Sequence, residues 1–294
     1  MLPQTLSEWS IDAVIGILMT GVFETDTFDF KEKLPDSRDN KAKIRLRKTC
    51  CAFANSDGGF IIFGVVDDKS KTPAERLIGL DSTFDFPEHF GYYPRDCSPS
   101  IYWSFRNPPI SLDNGKVLHI VHLPKSWKVP HAVGNPDEGW QFLKRTNKGN
   151  EGMSIEEVRL MFLGYYEKRL KLQLLRAELV MLGETADTAY ISDEKARAKA
   201  FIPVTFDTHV IESVISDTYT IIADRTELLK ALTKIRRQAN FANNRLRLFL
   251  SMAALPMTGK EKKTKEHNEW LQQVCEEIQE ACTLAIKELD RILV

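Results

Sequence analysis

Hydrophobic positions in the first half of the chain form short runs that are separated by glycines and polar residues. Phe28 and Phe30 alternate with Asp29 and Lys31, which is the pattern of a half-buried strand. The run that starts at Phe60 is apolar at almost every position, which is typical of a strand covered on both faces. The strands predicted in this half are 28–31, 60–66, 101–105, 116–123 and 140–145. They indicate a domain built on a mixed sheet.

Helical spacing precedes and interrupts these strands. Apolar residues recur every three or four positions over 6–19 and over 39–54. Between the second of these helices and the buried strand, small and polar residues supply the positive φ and the backbone hydrogen bonds of a tight connection. We therefore expect Asn55, Gly58 and Gly59 to be structural turn residues.

From residue 164 onward glycines become rare and the pattern is helical. The predicted helices are 170–182, 206–223, 226–255 and 266–294. The last helix carries apolar residues at the a/d spacing of a coiled seam, at Leu271, Val274, Ile278, Ala281, Ala285, Leu289 and Ile292. We predict an α+β chain with a domain over 1–163 and an all-α bundle over 164–294. The bundle either packs internally or joins two chains, and we favour a homo-oligomer through these C-terminal helices.

Composition adds few constraints. The chain has 294 residues, 43% hydrophobic and 28% charged, with a net charge of -1, so any nucleic acid would bind a local basic patch. The five cysteines are odd in number and lack zinc spacing, which favours buried thiols in a reducing compartment. The first residues show no basic region followed by an apolar run, so we expect no targeting leader, and nowhere do 18 apolar residues occur together. We expect a cytoplasmic protein with no membrane association.

Charged residues gather near the predicted turn. Basic side chains on the helix 39–54 are typical either of a solvated face or of an edge that faces phosphate, and the run alone favours the solvated face. Asp67 and Asp68 follow the buried strand, where a rigid element holds them at the surface. Gly58 and Gly59 precede a strand, whereas a phosphate-binding loop precedes a helix, so a nucleoside triphosphatase is excluded.

Three segments of the chain resemble the Schlafen AlbA-type domain. They are Asp-Phe-Lys at 29–31, the stretch 54–67 with its paired glycines and buried strand, and 142–147 followed by 153–157. The middle segment is the most specific of the three. The resemblance covers residues 20–163, in the family's order.

This resemblance implies a site of three carboxylates. RNA-cleaving Schlafen proteins carry two acidic residues five apart in the first strand region and a third after the Gly-Gly strand, a pattern that Glu24, Asp29 and Asp67 match. Asp29 departs from the family's usual Glu, which shortens the reach by one methylene. Such carboxylates bind Mg²⁺ or Mn²⁺ through oxygen. Lys31, on the same strand face as Asp29, would stabilise charge on the phosphate.

The leading interpretation is therefore a metal-dependent endoribonuclease that cleaves structured RNA such as tRNA, with RNA favoured over DNA and antiphage defence suggested by family analogy. The side chains expected to bind nucleic acid are Lys41, Arg45, Lys48, Lys144, Arg145 and Lys148. One alternative is a transcriptional regulator that binds nucleic acid without cleaving it, in a salt-sensitive and metal-independent way. Another is an interaction protein whose helical half binds a partner.

Overall fold

The chain folds as two compact units, Met1–Tyr165 and Tyr166–Val294. The computed structural model describes residues 3–19, 26–68, 70–189, 202–252 and 260–293. Unit 1 contains mixed sheet with helices and unit 2 is helical, so the predicted α+β class is confirmed.

Unit 1 holds all the strands that the structure describes. Its elements in chain order are a 3₁₀ turn at Leu6–Glu8, α1 (Ile11–Met19), β1 (Phe28–Lys31), α2 (Asn40–Asn55), β2 (Gly58–Phe63), α3 (Pro73–Arg76), α4 (Phe86–Arg95), β3 (Ser104–Phe105), β4 (Ile110–Ser111), β5 (Val117–Pro124), β6 (Ala132–Asn135), β7 (Gly139–Thr146), β8 (Gly149–Gly152) and the first turns of α5 (Ile155–Thr188).

The main sheet of unit 1 is mixed. β1 pairs with β2 in parallel, so that Asp29 lies opposite Ile61 and Lys31 lies opposite Phe63. β5 pairs antiparallel with β2 on one side, and with β3 and β4 on the other. β6, β7 and β8 form a second, antiparallel sheet.

Both faces of the main sheet are covered, which explains the uninterrupted apolar run of β2. Ile61 and Phe63 belong to a buried cluster with side chains of α2 and α4. Phe60 and Ile62 belong to a second cluster on the opposite face, with Trp9 and side chains of α1. A strand that contacts apolar side chains on both faces has no solvent-facing position at which polar residues are favoured.

The connection between α2 and β2 is tighter than the sequence pattern indicates. Asn55 is the last residue of α2, so the turn itself comprises Ser56 and Asp57. Gly58 has a φ of +82°, a conformation that favours glycine. A Cβ on Gly59 would overlap the ring of Phe53, so close approach of helix and strand excludes a side chain there.

Several predicted element boundaries differ from the structure. The buried strand predicted at 60–66 is β2 at Gly58–Phe63, and the helix predicted at 170–182 lies within the longer α5. Only Ser104–Phe105 of the strand predicted at 101–105 is strand (β3), and β6 lies in the region 130–139, outside every predicted strand. Both strands are too short for alternation to show in the sequence, and their pairing partners define them. The final helix begins at Lys260, whereas the predicted helix begins at residue 266.

Unit 2 consists of the rest of α5 with α6 (His209–Ile222), α7 (Thr226–Met252) and α8 (Lys260–Leu293). All seven a/d residues of the last helix are buried, and α7 packs along α8 with its own buried stripe. The predicted seam is therefore covered within one chain. Ion pairs tie α5 to α6 and α8, through Lys171–Asp217 at 2.9 Å and Arg176–Asp290 at 2.6 Å. No helix of the described ranges is long and apolar enough to span a membrane.

Candidate nucleic-acid interface

A buried ion-pair network lies at the carboxyl end of β1. The Asp29 carboxylate accepts hydrogen bonds from Lys31 Nζ at 2.8 Å, and Arg145 Nη2 lies 3.8 Å from it. The Asp29 side chain is only 2% exposed and that of Arg145 only 3%, whereas Lys31 is about one third exposed. Because a buried charge needs a partner, the two cations stabilise the ionised form of Asp29 inside unit 1.

Arg145 connects this network to two further elements, α2 and β8. Its guanidinium donates to the Asn150 side chain at 2.9 Å and to the Phe28 carbonyl at 3.2 Å, and it lies 4.9 Å over the ring of Phe53. Asn150 in turn donates to the Thr49 hydroxyl at 3.0 Å. β1, α2, β7 and β8 are thereby held together around one buried cation.

A cleft with a volume of about 580 Å³ opens above this network. The part of α2 up to Thr49, the loop after β1 and the β7–β8 hairpin form its walls. Five residues that the sequence analysis selected line it together, and these are Asp29, Lys31, Arg45, Lys48 and Arg145. The fold therefore brings together side chains that are up to 116 positions apart in sequence.

The basic side chains of the cleft differ in their exposure and in whether an ion pair already engages them. Arg45 is exposed and has no ion pair among the residues that the structure describes. Lys48 lies 3.4 Å from Glu138, an exposed carboxylate, which makes a readily replaced surface pair. Arg145 is almost fully buried and is already engaged, so its burial favours a structural contribution.

The other selected residues lie elsewhere. Asp67 pairs with Arg76 at 3.3 Å, and Arg76 lies over the ring of Phe30. Phe30 is on one face of the main sheet, whereas Ile61 is on the opposite face. Lys41 and Lys148 are exposed and are not among the cleft residues. Glu24 lies outside the described residues, so the three-carboxylate arrangement stays a prediction.

Lys144, also predicted to bind nucleic acid, forms an ion pair with Glu157 at the start of α5. The hydrogen bond from Lys144, together with bonds from the backbone and hydroxyl of Ser154, lowers the pKa of Glu157 to about 2. The pKa of Lys144 is raised, chiefly by the same hydrogen bond. This pair fixes the capping box of α5, where a carboxylate also complements the helix dipole.

The described residues do not by themselves make up a divalent metal site. Within the described ranges, no group of three or more His, Cys, Asp or Glu side chains is placed to hold a metal ion. Asp29 already faces Lys31 and Arg145, and a metal ion at its oxygens would meet repulsion from both cations.

Sequence reasoning missed the contribution of polar side chains that cross-link elements. Asn55, expected to make a turn, is 3% exposed, and its amide nitrogen donates to the carbonyls of His131 and Leu143, each at 2.9 Å. Its amide oxygen accepts the backbone N–H of His131 at 2.7 Å. Asn55 thereby joins the end of α2 to β7 and to the residue that precedes β6. The only signal in the sequence was a polar residue at the end of an apolar helix.

Comparison with known proteins finds one family model that matches part of unit 1. The family model described as Schlafen, AlbA_2 matches residues 24–154, the stretch that contains β1 to β8. The chain contains a Schlafen AlbA_2 domain. The resemblance inferred from the sequence is thus confirmed, and a Schlafen AlbA_2 domain suggests a function related to nucleic acid.

Among solved structures, the DIP2311 protein from Corynebacterium diphtheriae is similar to this chain, with 15% sequence identity and a TM-score of 0.31. The alignment covers 49% of this chain and 26% of that protein, so the chain spans about a quarter of its length.

Proposed function

We propose that the Schlafen AlbA_2 domain binds the sugar–phosphate backbone of RNA in the cleft beside β1. The observation that carries this proposal is that Lys31, Arg45 and Lys48 line one cleft, which is large enough for several backbone atoms. The phosphate backbone supplies most of the affinity in non-specific nucleic-acid binding.

The electrostatics of the cleft support an anionic ligand. Three of the four acidic residues that line it are already engaged, because Asp29 is paired with cations, Asp36 lies 3.4 Å from Lys33, and Asp39 caps α2 by accepting the Ala42 N–H at 2.9 Å. The first turn of α2 also contributes to the wall, and the positive end of the helix dipole favours an anion there. Arg45, exposed and without an ion pair among the described residues, is the side chain best placed to contact phosphate.

The test is the affinity for a labelled single-stranded RNA as a function of salt concentration, measured by fluorescence anisotropy. Arg45→Ala should weaken binding about 10- to 150-fold, since a charge-assisted hydrogen bond contributes about 1.5–3 kcal/mol. It should also reduce the slope of log K against log[salt] by about 0.7, the value for one phosphate contact on a single strand.

Arg159→Ala is the matched control, because Arg159 belongs to the same unit, is 71% exposed and is not among the cleft residues. Equal affinities and equal slopes for the two variants would contradict the proposal. A single-stranded DNA of the same sequence tests the preference for RNA, which differs only in its 2′-hydroxyls and in uracil.

Cleavage of RNA is the second candidate, favoured by the contact of Asp29 with Lys31 in the same cleft. In this version the chain is an endoribonuclease that cleaves structured RNA such as tRNA, assisted by Mg²⁺ or Mn²⁺ and active in antiphage defence. Lys31 is partly exposed and would hold charge that develops on the phosphate. The alternative is a transcriptional regulator that binds nucleic acid without cleaving it.

The endoribonuclease and the regulator are distinguished by incubating the protein with total tRNA in Mn²⁺, in Mg²⁺ and in EDTA. Glu24→Ala and Asp67→Ala should each abolish a metal-dependent product while leaving salt-sensitive binding to RNA. Lys31→Met should abolish the product and should also weaken RNA binding, because Lys31 lines the cleft. If tRNA stays intact under every condition while it is bound, the regulator is favoured over the nuclease.

Self-association through the helical unit completes the proposal. The α8 seam is used within the chain, but α5 exposes Leu170, Leu174 and Met181, whose spacing of four and seven residues is that of a helix–helix seam. Leu174→Glu should lower the molar mass measured by light scattering, whereas Leu248→Glu, another exposed leucine of unit 2, should not.

A further inference from the structure

A second, larger cavity of about 980 Å³ adjoins the cleft, and no function assigned above uses it. The two share the wall that follows β1, because Lys33, Leu34, Pro35 and Asp36 line both. A ligand that passes along this wall contacts both spaces.

The opposite wall of the cavity is one face of α4. Asp85, His89, Tyr92 and Asp96 line it, and they follow one another at intervals of four, three and four residues, which places them on one side of the helix. His89, Tyr92 and the two aspartates are exposed, although the other face of α4 is buried in the core through Phe86 and Phe90.

Aromatic rings are present on this wall at the surface of the protein. Tyr92 is 45% exposed, and Arg95 lies over its ring at 4.6 Å from the centroid. Phe84, also exposed, stacks on His89 with ring centroids 4.7 Å apart and an interplanar angle of 9°. Flat, exposed rings held in fixed orientations are the side chains on which unpaired bases stack.

The charge of the cavity differs from that of the cleft. Four aspartates line it against three basic side chains, and Arg47 is already paired with Asp96 at 2.6 Å. The backbone N–H of Thr83 and its hydroxyl hold the pKa of Asp81 below its usual value, so this carboxylate stays an acceptor. Carboxylates repel phosphate but accept hydrogen bonds from the amino groups of bases.

We propose that this cavity receives an unstacked base of the strand whose phosphates lie in the adjoining cleft, and that its carboxylates favour bases with an exocyclic amino group over uracil. The inference rests on the proposed function, since it names the class of ligand that the same domain selects, namely single-stranded RNA. Tyr92 supplies a stacking surface, and the aspartates supply acceptors.

The test uses fluorescence anisotropy with labelled oligocytidylate and oligouridylate of about 12 nucleotides, long enough to span a single-strand site. The wild-type chain should bind oligocytidylate more tightly. Tyr92→Ala should weaken that binding about 5- to 150-fold, the range for loss of one stacked base, and should leave the salt slope unchanged. Tyr92→Phe should keep the affinity. Tyr102→Ala is the matched control, because Tyr102 is 74% exposed in the same unit and does not line the cavity.

Asp85→Asn tests the selection between bases. Asn retains the N-cap that Asp85 gives to α4 by accepting the Glu88 N–H, while the carboxylate is lost. The ratio of the affinities for oligocytidylate and oligouridylate should therefore fall in this variant, while the protein stays folded. An unchanged preference in this variant would contradict the role of the carboxylates.

The outcomes distinguish this inference from the function on which it rests. Suppose that Arg45→Ala reduces the slope of log K against log[salt], but that Tyr92→Ala binds oligocytidylate as tightly as Tyr102→Ala. The cavity then does not hold a base, while the proposal that the cleft binds the RNA backbone is retained. If an abasic strand of the same length binds as tightly as oligocytidylate, the inference is likewise overturned. If the wild-type chain binds neither oligonucleotide, both proposals fall.

Discussion

Replacement of Arg145 by methionine removes the cation that joins β1, α2 and the β7–β8 hairpin. The substitution keeps much of the side-chain volume but takes one of two neighbouring cations from Asp29, which is 2% exposed, and leaves the ammonium of Lys31 beside it. The Asn150 side chain and the Phe28 carbonyl also lose a donor. The loss therefore combines an under-compensated buried charge with two broken hydrogen bonds.

The expected decrease in the free energy of unfolding follows from the burial of Asp29. Removing one partner of a buried ion pair costs about 3–5 kcal/mol, because the remaining charge cannot be solvated. With an m-value of about 2 kcal/mol/M, the urea midpoint of unit 1 should fall by about 1.5–2.5 M in Arg145→Met. Arg159→Met, which removes an arginine that is 71% exposed, should change the free energy of unfolding by less than about 0.5 kcal/mol.

Tryptophan fluorescence is a suitable assay, since four of the five tryptophans lie in unit 1, at Trp9, Trp103, Trp127 and Trp140. The signal then reports mainly on the unit that contains the network. If the midpoints of Arg145→Met and Arg159→Met agree within about 0.3 M, the network does not stabilise the fold and the structural interpretation of Arg145 is refuted.

Two further predictions concern the core of unit 1. His119 is buried against the ring of Phe86 and its pKa is lowered to about 4 by desolvation, so its neutral form stabilises the fold above the ordinary pKa of 6.5 and this contribution is lost as the pH falls toward 4. His119→Phe should therefore flatten the dependence of the thermal midpoint on pH between 6.5 and 4, and an unchanged dependence would contradict the assignment. Gly59→Ala should destabilise unit 1 by at least about 1–3 kcal/mol in urea unfolding, because its Cβ would meet the ring of Phe53. Gly16→Ala, with open space around its Cβ in the interior of α1, should be stabilising by up to about 1 kcal/mol, and the same sign for both variants would refute the packing argument.

The sequence predicted the elements whose signals are local. The alternation at 28–31, the apolar run of β2 and the a/d positions of the last helix each depend on a period that the neighbouring residues define. β6 escaped prediction and β3 was predicted too long, because strands this short are defined only by pairing with a partner strand, β7 for β6 and β5 for β3.

The sequence likewise predicts only those contacts of the candidate site that are local. Asp29 and Lys31 were predictable as neighbours, since residues two apart on a strand share a face. The engagement of Arg145 with Asp29 was not, because 116 residues separate them and only the sheet topology brings them together. The cross-link made by Asn55 was equally hidden, since a single amide has no periodicity.

The location of bound RNA tests the central claim most directly. Ultraviolet cross-linking of a labelled single-stranded RNA to the full chain, followed by mass spectrometry of the peptides, maps the contact surface. The account predicts cross-links in the segments 31–48 and 145–150, which form the cleft, and at Tyr92 in the adjoining cavity. Cross-links confined to the helical unit would contradict it.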